Sequence, residues 1–126
     1  MDDEARREAG TALRRAVHGD EHVDRSLADA DDITRDFQDL LTRYPWGEIW
    51  TRPGLDRRTR SIITVTTLAA LSHDEELALH LRGALRNGVS REELVEVLLQ
   101  VAVYAGIPAG NRAFRVAAKV LREPDA

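Results

Sequence analysis

The chain has no cysteine, which removes disulfides, thiolate metal sites and thiol redox chemistry together. It has almost no lysine either: of its 18 basic residues all but Lys119 are arginine. A bias of that kind belongs to the composition as a whole, so an arginine at any one position is a weaker sign of anion binding than usual. No apolar run approaches the roughly 20 residues of a membrane span. The opening MDDEARREAG has no apolar segment of the kind a secretory signal carries, so a cytoplasmic location is expected. Acidic residues outnumber basic ones by 22 to 18, and at a net charge of −4 nothing global draws the chain to nucleic acid or anionic lipid. There is no glycine-rich phosphate loop, no GxSxG elbow and no dinucleotide fingerprint. No segment alternates apolar and polar residues between turn signals, so no strand is predicted.

What remains is helical patterning in a chain of 126 residues, the size of a single domain. Ala5, Ala9, Ala12, Leu13, Ala16 and Val17 recur at helical spacing before Gly19 and predict a weakly apolar first helix. The polar stretch DEHVDRSLADAD reads as a connector with at most a turn of helix. A second helix follows Asp31-Asp32, carrying Ile33, Phe37, Leu40 and Leu41 on one face, and Pro45 is expected to stop it. Residues 44–55, YPWGEIWTRPGL, hold both tryptophans and read as a loop folded over something. Two readings stand for it: a lid on the core or a subunit contact, and a pocket wall made by Trp46, Trp50 and Arg52. Asp56 suits the N-cap of a largely buried helix reaching Leu71. The first turn of that helix carries Arg57, Arg58 and Arg60, cations that oppose the helix dipole; Arg60, nearest the buried part, is the candidate for an anionic ligand.

The stretch SHDEELALHLRGALRNG, residues 72–88, looks central. Ser72 and Glu75 have capping-box spacing, Leu77, Leu81, Ala84 and Leu85 share one face, and Asn87-Gly88 suits a left-handed end. His80 falls at the edge of the apolar stripe, with Glu76 one turn earlier, which reads either as a core histidine or as a pocket wall. Ser90 and Glu93 repeat the capping spacing before a helix through Tyr104 that is apolar on nearly every side. In a small chain that implies a subunit interface, hence an oligomer. Gly106 and Pro108 break this helix, and a last one carries Ala113, Phe114, Ala117, Ala118 and Leu121 to about Arg122. His18 and His22 are four apart, but Gly19 lies between them and no third ligand is near, so no metal site is expected there. The fold class is all-α, a single-domain bundle of five or six helices over residues 1–126.

Three motifs in register, WGEIWTRPGLDRRTRS, LALHLRGALRNGVSREEL and VAVYAGIPAGNRAF, resemble the gamma-carboxymuconolactone decarboxylase family of protocatechuate degradation, and the likeness runs from about Ala5 to Leu121. That family is similar to the wider alkyl hydroperoxidase D-like group, whose redox members carry a CxxC motif shortly before a histidine. Counted back from His80, those positions here are His73 and Glu76, so thiol peroxidase chemistry is excluded. The resemblance implies a homohexamer that needs no cofactor and no metal. It also implies the decarboxylation of 4-carboxymuconolactone, a lactone dicarboxylate, to an enol-lactone. On motif position and chemistry the expected catalytic residues are His80, Glu76 and Arg60, with Arg52, Trp46, Trp50 and Tyr104 binding substrate. The alternatives are a related decarboxylase acting on another lactone or keto acid, and a non-catalytic helical ligand-binding assembly.

Overall fold

The helical patterning is realised in a computed structural model that describes residues 2–124 as seven α-helices and one π-helical segment. They are α1 (Asp3–His18), α2 (Asp20–Ala28), α3 (Arg35–Leu41), the π segment (Thr42–Ile49), α4 (Arg57–Ala70), α5 (Asp74–Arg86), α6 (Arg91–Ala105) and α7 (Ile107–Val120). Among the described residues there is no strand, so the all-α expectation holds, with more helices than the five or six expected. No helix among them is long and apolar enough to cross a membrane. The chain divides into two compact units, residues 1–56 and 57–126.

The N-terminal unit is built on α1 against the π segment. Asp2 caps α1 by accepting from the Ala5 amide at 2.8 Å, with Asp3 and Glu4 in the first turn and Arg15 and His18 in the last, the favourable order for the helix dipole. The buried face of α1 is Gly10, Leu13, Arg14, Val17 and His18. It is thus rotated from the alanine stripe read in the sequence, and Ala12 and Ala16 are exposed. The expected connector is mostly helix: Gly19 turns the chain at φ 87°, and α2 follows, tied back by Arg15 to Asp20 at 3.2 Å and Asp24 at 2.7 Å.

Pro45 does not stop the second helix. Proline has no N–H, and in an α-helix its ring presses on the carbonyl four residues back. Here the backbone widens instead, and the Trp50 amide bonds to the Pro45 carbonyl at 2.9 Å, five residues back. Much of the expected aromatic loop is therefore this π segment. It lies against α1 almost backbone to backbone. A Cβ on Gly10 would stand 2.0 Å from the Thr42 carbonyl oxygen, and one on Gly47 2.2 Å from that of Arg6.

In the C-terminal unit the core is made by Val65 and Ala69 of α4, Leu77, Leu81 and Ala84 of α5, Leu94, Leu98 and Val101 of α6, and Ala113, Ala117 and Val120 of α7. The α5 start differs from expectation: Ser72 is left-handed at φ 58° and its neighbour His73 occupies the N-cap, so the Ser72–Glu75 capping box does not form. The α5 end is as read. Gly88 is left-handed at φ 89°, and the amides of Val89 and Gly88 bond back to Ala84 and Leu85 at 3.0 and 3.2 Å, the paired bonds of a Schellman ending. Asn87 also donates to the buried Ser61 hydroxyl at 2.9 Å, fastening α5 to α4. The Ser90–Glu93 capping box forms in full, and Glu93 also pairs with Arg58 of α4. On α4, the hydroxyls of Thr64, Thr66 and Thr67 donate to the carbonyls of Arg60, Ile62 and Ile63 four residues back, at 2.8, 2.7 and 2.9 Å. Pro108 opens α7 rather than merely ending α6.

The glycine contacts set a contrast between two substitutions. Gly47→Ala has to push a backbone carbonyl aside and should cost about 2 kcal/mol or more. Gly54→Ala meets nothing within 4 Å and should stay within about 0.5 kcal/mol of wild type. Urea unfolding of the two variants checks this, and equal midpoints would show that the close approach is not needed.

Candidate functional site

The expected site residues divide between the two units: Trp46, Trp50 and Arg52 belong to the first, Arg60, Glu76, His80 and Tyr104 to the second. Trp46 is 4% exposed and packs with Leu13 and Val17, while Trp50 stacks on it, ring centroids 4.9 Å apart. Trp46 also meets the edge of His18 at 4.9 Å, and His18 meets His22 at 5.3 Å. The two histidines are thus in ring-to-ring packing, and among the described residues no group of three side chains could hold a metal ion. Of the two sequence readings of the aromatic stretch, the core role is the one visible here for Trp46. Arg52, just beyond the π segment, is exposed.

In the second unit Arg60 sits half-buried in the first turn of α4. On α5, Glu76 is exposed and His80 half-buried one turn later. Burial pushes the His80 imidazole down to about 4, with the Glu76 carboxylate pulling weakly the other way. At neutral pH the ring is therefore uncharged, with one N–H to donate and one nitrogen to accept. Tyr104, at the end of α6, is 85% exposed and lines a groove of about 450 Å³ with Ile62, Thr66, Val97, Gln100 and Val101. The walls of this groove come from α4 and α6, whereas Glu76 and His80 stand on α5. The structure thus keeps Glu76 beside His80 and sets Tyr104 in a separate, mostly apolar groove.

Sequence reasoning passed over Arg14, 4% exposed in the face of α1. Its Nη1 donates to Gln38 Oε1 at 3.2 Å, and burial lowers its pKa. The signal that could have found it is the spacing Gly10, Arg14, His18, a stripe at four-residue intervals that an eye for alanine and leucine skips. Nearby, Asp39 is gripped by Arg7 at 2.5 Å and Arg43 at 2.8 Å, which hold its carboxyl down to about 2.

Comparison with known proteins gives this geometry its family. The model of the carboxymuconolactone decarboxylase family matches residues 35–119. A 4-carboxymuconolactone decarboxylase of Acinetobacter baylyi is 45% identical over 123 residues, covering 98% of this chain and 92% of that protein. A nitrosuccinic acid decarboxylase of Metarhizium robertsii is 40% identical over 114 residues, 90% of this chain and 80% of that one. A 4-carboxymuconolactone decarboxylase sequence of Pseudomonas putida is 46% identical over 48 residues, 38% of this chain. The chain belongs to the carboxymuconolactone decarboxylase family.

The lowered His80 pKa has a consequence for stability. An unfolded histidine takes up its proton near 6.5, the native one near 4. Between these values the unfolded state binds more protons, so stability is present above 6.5 and is lost as pH falls. Between pH 7.5 and 5 the loss from this group is about 1 to 2 kcal/mol. Urea unfolding of the wild type and His80→Asn at both pH values should show a smaller acid loss in the variant by that amount, and equal losses would mean that the imidazole is not held neutral.

Proposed function

We propose that this protein decarboxylates 4-carboxymuconolactone to the corresponding enol-lactone. The observation that carries the reading is the 45% identity to the Acinetobacter baylyi enzyme across nearly the full length of both chains. The family match also runs across the junction between the two units, which supports reading residues 1–126 as one decarboxylase-like domain of the alkyl hydroperoxidase D-like group. The absence of a membrane-crossing helix among the described residues is consistent with a cytoplasmic enzyme.

The chemistry asks little of a cofactor. The departing carboxylate sits on the carbon gamma to the lactone carbonyl, across a double bond. When that carbon–carbon bond breaks, carbon dioxide leaves and the electron pair spreads into the lactone as a dienolate; one proton at the alpha carbon then gives the enol-lactone. The sink is in the substrate. The protein supplies a cation for the spectator carboxylate, a donor where negative charge develops, and a route for the proton. Arg52 and Arg60 are candidates for the first, Arg60 being the more enclosed. A neutral His80 suits the second task better than the third, because an uncharged imidazole offers its N–H as a hydrogen bond but gives up that proton far less readily than imidazolium does. Glu76, one turn away, favours the positive state of the ring through its charge and is the proposed partner that holds the ring's tautomer. Trp46, Trp50 and Tyr104 are the proposed pocket-shaping residues.

A second reading follows from the nitrosuccinic acid decarboxylase: the same kind of reaction on another acid. Ultraviolet absorbance of the unsaturated lactone mixed with the protein, alongside nitrosuccinate in a parallel assay, decides between them. With the lactone, His80→Ala should lower turnover by about 10² to 10³, the usual effect of removing one donor to a developing oxyanion, with an unchanged melting temperature at neutral pH. Near wild-type turnover in a folded His80→Ala protein would remove this histidine from the reaction.

The assembly we propose is a homohexamer. It is supported by the apolar side chains that α6 leaves in the open, with Leu99 49%, Val103 74% and Tyr104 85% exposed. Light scattering at micromolar concentration should give a mass several times 14.1 kDa, and a monomer mass would overturn this.

A further inference from the structure

Many arginines of this protein come with a carboxylate. Arg6, Arg7, Arg15, Arg43, Arg82 and Arg112 each reach one within 3.3 Å, on side chains that keep a good part of their surface in water. Arg14 inverts the pattern. It is among the most enclosed charged side chains of the molecule, and its polar contact is with a neutral amide, that of Gln38. Its Nε is buried and has no hydrogen-bond partner among the described residues. The acid next to Gln38 on α3, Asp39, is already engaged by Arg7 and Arg43. A guanidinium stays protonated under all ordinary conditions, so a buried one whose hydrogen bond is to a neutral amide carries a desolvation cost that this one contact offsets only in part. Long cationic side chains usually escape this cost by running their heads out to water. At 4% exposure this one does not.

We infer that Arg14, with Gln38, is a carboxylate-receiving site of the N-terminal unit, and that the anion completing it is a carboxylate of the substrate. Two features fit a site rather than a flaw in packing. The guanidinium is a planar fork matched to a carboxylate, and its Nε–H is one of the two parallel donors such an anion accepts. One turn along the same face of α1 stands His18, whose ring is seated against Trp46, so the ground beside Arg14 is aromatic and low in dielectric, where a charge-assisted hydrogen bond is stronger than in water. The ligand class is a small organic carboxylate, and its identification with the lactone substrate rests on the decarboxylase reading above.

Both tryptophans of the chain, Trp46 and Trp50, lie in this unit, and Trp46 touches His18, so intrinsic fluorescence reports on the site without turnover. The full-length wild type is titrated with succinate, an unreactive dicarboxylate. Fluorescence should change saturably, and the dissociation constant should rise at least tenfold in Arg14→Met and Arg14→Lys but less than threefold in Arg25→Gln, at the exposed arginine of α2 that pairs with Glu21. In the lactone assay the same two variants should raise KM at least tenfold and leave kcat within about threefold. In the absence of any carboxylate, Arg14→Met should melt at or above the wild-type temperature, because it removes a buried charge that has no counter-ion, whereas a structural arginine would make the variant melt lower. Wild-type fluorescence that ignores succinate, or folded variants with unchanged succinate affinity and KM, would overturn the proposal. So would a drop in assembled mass in Arg14→Met with succinate affinity intact, since that would assign the missing carboxylate to a second copy of the chain. Should Arg14→Met fail to fold, Arg14→Lys carries the same comparison. A wild type that binds succinate through Arg14 yet leaves the lactone untouched would sink the decarboxylase reading and leave the carboxylate site standing.

Discussion

Backbone approaching backbone is the constraint on which much else in this protein depends. Where α1 meets the π segment, glycine appears on both sides of the contact, Gly10 against Thr42 and Gly47 against Arg6. In the C-terminal unit the same device joins α7 to α6, where a Cβ on Gly110 would stand 2.6 Å from that of Ala102. Close approach brings the helix axes near enough for short side chains to fill the space between them, which is how a chain rich in alanine and valine and poor in aromatics still closes its cores. The widened turn at Pro45 belongs to this arrangement, because it lets an unbroken helical segment lie along α1.

Polar groups inside the two units are treated in contrasting ways. Ser61 is 1% exposed and is satisfied by Asn87, so its burial serves to lock α4 to α5. His80 meets burial by staying neutral, which a group with an ordinary pKa near 6.5 can do at little cost at pH 7. Arginine has no such recourse. The three cases rank the interior polar groups by how far chemistry lets each avoid the cost of leaving water, and the one with the least freedom is the one that marks a site.

How much of this was legible in the sequence depends on whether a signal was local. The Ser90–Glu93 box, the left-handed ending at Gly88 and the apolar runs of α5 to α7 are local, and each reads correctly. The failures came where a neighbour overrode the local rule. Pro45 is a helix breaker by itself, yet a π turn packed against α1 absorbs it. Ser72 has the spacing of a cap but lies in a left-handed turn, so its side chain does not perform that task. The placing of Glu76 one turn before His80, near enough for its charge to act on the ring, was readable from their spacing. The deep burial of Arg14 was not, because charge counts as surface in any pattern reading and only the three-dimensional contact reveals otherwise.

The threonines of α4 alter the character of the surface around them. By name Thr66 is a polar residue in the wall of the α4–α6 groove, but its one hydroxyl proton is committed to the carbonyl of Ile62, as those of Thr64 and Thr67 are to their own helix. At these three positions a molecule resting against the helix therefore meets methyl groups and oxygens able only to accept. Selectivity on that wall falls to shape and to the few groups that still have a proton to offer, Gln100 and the phenol of Tyr104.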